Sequence, residues 1–390
     1  MSRRWLFALV AVVPLVAMCA LDSRSGRGGD LPVARIHPRG ARLSIDASLL
    51  EESWRAYLAR FVQDDGRVVD RKAGGASTSE GQAYALLRAV WMNDRATFDT
   101  VLQWSDNNLR ANIRGDELFG WKWGHRDDGS WGIYDRNAAS DADQLIALAL
   151  LRAADRWREP AYRERARRLI ADIWEKETVV IHRTRFVLPG DWHSPPGSAV
   201  QINPSYYFPF AYRVFAAVDP SRPWMELVDL SYRVFGQCRS RVGLPTDWCF
   251  VEPLSGELFV RSDLFDKSAD FGYEAFRVFW TLAADYHWNR EERALSLLEK
   301  MGWLSRYFAI RGVLPAVVTF DGIPREEHKY LGLYGAYLPA LALVDPETAA
   351  RLYREGIQSS FHAGLWGDPE DYYAQNWTWF GVKLTSELYP

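Results

Sequence analysis

Three short segments set acidic residues where a carboxyl group could move protons. In Ser77-Thr78-Ser79-Glu80-Gly81-Gln82 a run of hydroxyls precedes Glu80. A hydroxyl supplies a helix N-cap, so Glu80 falls in the first turn of a helix. Ala138-Ala139-Ser140-Asp141-Ala142-Asp143 puts two more carboxylates at the start of a second helix. Residues two apart do not share a helix face, so one can cap the helix while the other faces a cleft. Tyr273-Glu274-Ala275-Phe276-Arg277 opens a third helix, with Arg277 one turn beyond Glu274 on the same side. Each segment also has a plain structural reading. Acidic residues are stabilised by the partial positive charge of a helix N-terminus, and Glu and Arg three apart form ordinary intrahelical ion pairs. The Asp-x-Asp spacing occurs in calcium loops too. Here the sixth position lacks Gly and the twelfth lacks Glu, which excludes an EF-hand.

The helices behind the carboxylates turn three local patterns into one. Residues 80–92 and 140–157 are apolar around most of their circumference, as buried helices are. Amphipathic stretches at 94–109, 161–175, 290–301 and 347–356 alternate with such helices, and further helical segments fall at 204–217, 223–235, 273–286, 332–343 and 373–384. Strand signals are confined to 178–188 and 256–260. No composition break divides residues 45–390, so one large all-α domain is expected. An inner layer of apolar helices inside an amphipathic layer predicts a helical barrel. Inner helices that run the same way bring their N-termini, and the three carboxylates, to one end. Paired carboxyls in an aromatic cleft are what glycoside hydrolysis requires. The acid of such a pair must stay protonated, so desolvation and neighbouring anions must overcome the helix dipole.

Composition narrows the partners. The 390 residues are 48% hydrophobic and 25% charged with a formal net charge of −3, which describes a globular chain and removes the electrostatic case for nucleic acid. There are 18 Trp, 18 Tyr and 19 Phe, an excess that fits either a large core or a cleft that stacks flat-faced sugars. Seven scattered histidines argue against a His-rich metal site, and three cysteines cannot form a disulfide framework. A single Cys238–Cys249 bridge stays open. Ser2-Arg3-Arg4 before an apolar run over 5–20 reads as an export signal, shorter than a comfortable bilayer span. Cys19 leaves lipid anchoring to a membrane open. Residues 21–44, rich in Arg, Gly, Ser and Pro, read as a linker. The expected body is a soluble monomer, periplasmic or extracellular.

The run Ala139-Ser140-Asp141-Ala142-Asp143, continued by Ile146-Ala147, Ala149-Leu150-Leu151, Ala153 and Trp157, resembles the characteristic string of glycoside hydrolase family 8. This bacterial endoglucanase family includes the periplasmic cellulases of cellulose-synthesis systems. Thr78 to Tyr84, Phe98 to Leu109, Trp121-Lys122-Trp123-Gly124, Asn203-Pro204-Ser205-Tyr206, Asp247-Trp248 and Tyr372-Tyr373 are similar to other family segments, so the likeness spans residues 50–384. It implies an (α/α)6 barrel, an inverting reaction on a β-1,4-linked polysaccharide such as cellulose, and no metal or organic cofactor. Carried over, Glu80 would protonate the glycosidic oxygen and Asp141 would bind and distort the sugar at the cleavage point. Tyr273 would help hold the attacking water, and Arg277 would buttress the carboxylate before it. One position departs. The cellulase branch has Asp as general base where this chain has Glu274, one methylene longer. Glu274 as base, a relocated base such as Asp270, chitosan or xylan as substrate, and binding without cleavage all remain open. Phe98, Trp104, Trp157 and Phe276 are expected in packing. Trp121, Trp123, Trp131, Tyr206, Trp248, Tyr372 and Tyr373 are the candidate sugar platforms.

Overall fold

The computed structural model describes residues 43–388 except 111–112, 193, 196 and 262–268. The expected export signal, with Cys19, and the linker up to residue 42 lie outside the described residues. Leu43 is already buried in the core.

Thirteen α-helices follow in chain order among the described residues. They are α1 (Ala47–Phe61), α2 (Ser79–Trp91), α3 (Arg95–Ser105), α4 (Ser140–Trp157), α5 (Pro160–Lys176), α6 (Pro209–Val218) and α7 (Trp224–Gln237). The remainder are α8 (Arg277–Asn289), α9 (Glu292–Lys300), α10 (Trp303–Arg311), α11 (Leu331–Val344), α12 (Pro346–Arg351) and α13 (Tyr372–Leu388). Helices α2, α4, α6, α8, α11 and α13 touch in sequence, and α13 returns to α2, closing an inner ring. Each inner helix packs on one outer helix: α3, α5, α7, α9, α12 and, for α13, α1. This is an (α/α)6 barrel.

The assignment to layers follows from residue type. Helix α2 buries eleven of its thirteen residues, whereas α9 buries only Ala294 and Leu298 and turns its charges outward. The inner pair α11 and α13 comes closest, because a Cβ on Gly335 or Gly381 would overlap the other helix's backbone. Thr78 caps α2, its hydroxyl accepting the Gly81 N–H at 3.0 Å, which frees Glu80 for another role.

Local chemistry moved some boundaries. The helix expected over 204–217 is a short 3-10 turn, Pro204–Tyr206, followed by α6, which restarts with Pro209 in its first turn. Proline has no N–H to continue a helix but suits the first turn. The helix expected from 273 begins only at Arg277; residues 273–276 form a turn. The strand at 178–188 is a hairpin of Thr178–Ile181 and Thr184–Val187. Helices α1 and α10 were not anticipated, nor was a sheet of β1 (Ser77–Thr78), β2 (Gly120–His125) and β3 (Trp131–Ala138), ordered β1-β2-β3. The turn between β2 and β3 contains Asp128-Gly129, with Gly129 at φ 83°.

Candidate active site

Arg277, the first residue of α8, is 1% exposed and gathers the three predicted carboxylates. Its Nη1 donates to Glu80 Oε1 at 2.9 Å and to Asp141 Oδ2 at 3.0 Å. Its Nη2 donates to Glu274 Oε2. The inner ring brings these residues, far apart in sequence, together on one guanidinium. The ring of Tyr206 lies 5.0 Å from the same guanidinium.

Glu80 Oε1 also accepts from the Tyr84 hydroxyl at 2.7 Å, one turn along α2. Oε2 has no hydrogen-bond partner among the described residues, and the side chain is 18% exposed. Burial, then the charges of Asp141 and Glu274, push the Glu80 carboxyl up to about 8 against the pull of Arg277 and Tyr84. The dipole of α2 is thereby overcome, and Glu80 holds a proton at neutral pH.

Glu274 sits on the turn before α8, not inside a helix, and Asn203 Nδ2 donates to its Oε2 at 2.9 Å. Asp270, the alternative base, lies elsewhere: its carboxylate pairs with Arg325 at 3.0 Å and accepts the Phe320 N–H. Tyr273 is also drawn off. Its hydroxyl donates to Glu326 at 2.8 Å, with His328 at 3.5 Å. Tyr206 is the tyrosine beside the cluster, where burial and then the charges of Asp141 and Glu274 hold its hydroxyl well above the usual range.

Asp141 is buried against Arg277, and its Oδ1 accepts the Ala142 N–H at 2.9 Å. Asp143 does not cap α4. It accepts the Phe119 N–H at 3.0 Å, anchoring the chain where β2 begins. Its Oδ2 and both oxygens of Glu177 are buried and meet no donor. The two carboxyls are neighbours, and burial followed by the Asp143 charge pushes Glu177 well above the carboxylate range. Burial likewise raises Asp143. A proton shared between them satisfies both.

The predicted platforms divide. Trp121 and Trp131 are 40% and 50% exposed on the β2–β3 hairpin. Trp123 lies between Trp104 and Trp131, each at 5.4 Å, with the Arg67 guanidinium 4.3 Å from its ring. Trp248 is partly buried. Tyr372 is buried with its hydroxyl 3.3 Å from Thr78, and Tyr373 packs on Tyr84, Phe276 and Trp377. Tyr372 is thus enclosed, whereas Tyr373 is partly exposed and its hydroxyl donates to the Tyr273 carbonyl at 3.0 Å. Phe98, Trp104 and Phe276 are buried as expected, and Trp157 is partly so. Tyr84, Asn203 and Asp247 were missed as site residues. Tyr84 had a signal in its spacing of four from Glu80, and the others stood in segments already singled out. Cys238 and Cys249 are bridged.

A proton-bearing carboxyl and two further carboxyls around one cation, at the aromatic end of a helical barrel, are the parts that cleavage of a glycosidic bond needs. The chain belongs to glycosyl hydrolases family 8, whose family model matches residues 31–316. An endoglucanase of Pseudomonas fluorescens (strain SBW25) is 35% identical over 260 residues, 65% of this chain and 64% of that protein. The match thus spans less than two thirds of that relative. The endo-1,4-D-glucanase of Vibrio fischeri ES114 superposes with a TM-score of 0.70 at 28% identity, over 85% of this chain and 93% of the other. An endo-beta-1,4-glucanase of Acetobacter xylinum gives 0.68 at 25% identity, over 87% and 98%.

Proposed function

We propose that the protein is an inverting endo-hydrolase of a β-1,4-linked glucan, cellulose first among them. The observation that carries this reading is the buried Arg277 shared by three carboxyls, one of which, Glu80, keeps its proton to about pH 8. Glu80 gives that proton to the glycosidic oxygen. Glu274 takes a proton from a water whose oxygen bonds to the anomeric carbon on the opposite face as the bond to the leaving sugar breaks. Asp141 binds the sugar at the cleavage point. Tyr206 holds the water, because the Tyr273 hydroxyl is engaged by Glu326.

The additional methylene of Glu274 lets it fold back onto Arg277. An inverting reaction needs roughly 6.5–9.5 Å between its two carboxyls to admit the water, and on this reading Glu274 leaves Arg277 to take up that separation from Glu80. Family membership and the endoglucanase names of the relatives support the substrate class. So does the near-zero net charge, since a neutral glucan is held by stacking and hydrogen bonds. The same reading includes export through residues 1–20 and action as a monomer. The Cys238–Cys249 disulfide supports export, because such bonds persist in oxidising compartments. Cell fractionation tests it, and a purely cytoplasmic pool would refute it. For the activity, the experiment is reducing-end release from carboxymethylcellulose by the natural chain and by Glu80→Gln, with the product anomer read by NMR. Inertness of the natural chain on cellulose, chitosan, xylan and mixed-linkage glucan refutes the proposal.

A further inference from the structure

The turn that carries Glu274 is held from outside its own segment. Helix α8 has no side-chain cap of its own, and the N–H groups just before it need acceptors. Asp247, on the loop after α7, supplies them. Its Oδ1 accepts the N–H of Glu274 at 3.2 Å and of Ala275 at 2.8 Å. The backbone of Gly272 bonds the same carboxyl. A Cβ at position 272 would lie 2.6 Å from Asp247 Oδ2, so glycine is what admits the carboxylate so close. The backbone joins in as well, the Asp247 N–H donating to the Asp270 carbonyl at 2.9 Å.

The loop that presents Asp247 is itself closed. Cys238, at the end of α7, is bridged to Cys249, two residues beyond Asp247. Inside the bridge the Thr246 N–H donates to the Cys238 carbonyl at 3.2 Å, and the Thr246 hydroxyl donates to the Trp248 carbonyl at 2.9 Å. Both sulfurs belong to fully buried residues. The loop therefore has little freedom to carry Asp247 away.

We propose that Asp247 is a positioning residue: its carboxylate clamps the backbone of residues 272–275, and the disulfide-closed loop holds the clamp, so that together they set where the Glu274 carboxyl stands. The proposal rests on Glu274 acting as the base. Misplacing a reacting group by about 1 Å costs up to roughly 100-fold in rate. Asp247→Ala is therefore expected to lower kcat on carboxymethylcellulose about 10- to 100-fold while KM changes less than about threefold. Asp247→Asn keeps an acceptor oxygen and is expected to restore most of that kcat, whereas Asp247→Leu, which fills the space without an acceptor, is expected to stay as slow as the alanine variant. Gly272→Ala deletes nothing yet displaces the carboxylate, and is expected to lower kcat by a similar factor. It also serves if Asp247→Ala does not fold. Breaking the bridge with Cys238→Ala and Cys249→Ala together is expected to lower kcat in protein that circular dichroism reports as folded. A folded Asp247→Ala or Gly272→Ala enzyme with the natural kcat, beside an inactive Glu274→Gln, overturns the clamp and leaves the base assignment standing. A fully active Glu274→Gln overturns the base assignment and the clamp with it.

Discussion

Replacing Glu80 by glutamine is expected to make the protein more stable while removing its activity. The Glu80 carboxyl stands at about 8 in the folded protein against 4.5 for an unperturbed glutamate. For an acid raised in this way, stability is fully present below pH 4.5 and is lost as pH rises, because the unfolded chain releases a proton that the folded chain must keep. The loss runs at about 1.4 kcal/mol per pH unit until the folded group ionises near 8. At pH 5 it amounts to about 1 kcal/mol, at pH 7 to about 3 kcal/mol, and at pH 8 to about 4 kcal/mol. Glutamine is neutral throughout and fits the same bonds. Its carbonyl oxygen can take the place of Oε1, which accepts from Tyr84 and Arg277, and its amide can lie where Oε2 has no partner. Denaturant unfolding of both proteins at pH 5, 7 and 8 reads the difference, and groups common to both cancel. Activity on carboxymethylcellulose is expected to fall about 100- to 10,000-fold, the range for a general acid. Equal midpoints at pH 8, or a gap that narrows as pH rises, would refute the account of a proton-bearing Glu80.

Other consequences are independent of that one. Turnover is expected to decline above about pH 8 as Glu80 loses its proton; a pH–rate profile flat to pH 9.5 argues against it as the acid. Arg277→Met leaves Asp141 and Glu274 without their cation and is expected to destabilise by about 3–5 kcal/mol at neutral pH. That loss shrinks as pH falls and Asp141, its carboxyl raised by burial, takes a proton, which denaturation at two pH values checks. Glu177 and Asp143 are raised well above their ordinary values, so their contribution to stability is present below about pH 4 and lost as pH climbs. Glu177→Gln can donate its amide to Asp143 in place of the shared proton, so its stability is expected to fall less between pH 5 and 8 than the natural chain's. Parallel curves would count against the shared proton. Trp131→Ala removes a half-exposed ring tilted against Trp123 and is expected to raise KM up to about tenfold with kcat nearly unchanged. A fall in kcat alone would take Trp131 out of sugar binding.

Local pattern carried far along this chain and then stopped at identifiable places. Helix α4 stands at 140–157, as its continuous apolar run predicts, because a helix buried on all sides writes its burial into consecutive residues. The first-turn positions of Glu80 and Asp141 follow from the residues that precede them, since caps act within one turn. The start of α8 did not follow. Nothing within residues 272–276 announces a turn whose N–H groups at Glu274 and Ala275 are satisfied by Asp247, 27 and 28 residues earlier in the chain. The aromatic excess likewise resolved only in three dimensions. Tyr372 is buried, while Trp121 and Trp131 stay exposed on a hairpin.

By itself the sequence determined the layering of the helices, the acidic first turns and the family likeness, because periodicity and capping are properties of neighbours along the chain. Tertiary structure alone decided that Glu80, Asp141 and Glu274 share Arg277 and that Glu80 keeps its proton. It also decided that Tyr206, not Tyr273, stands beside them. A carboxyl's charge state depends on what surrounds it after the ring has closed, and α2, α4 and α8 supply those surroundings from distant parts of the chain.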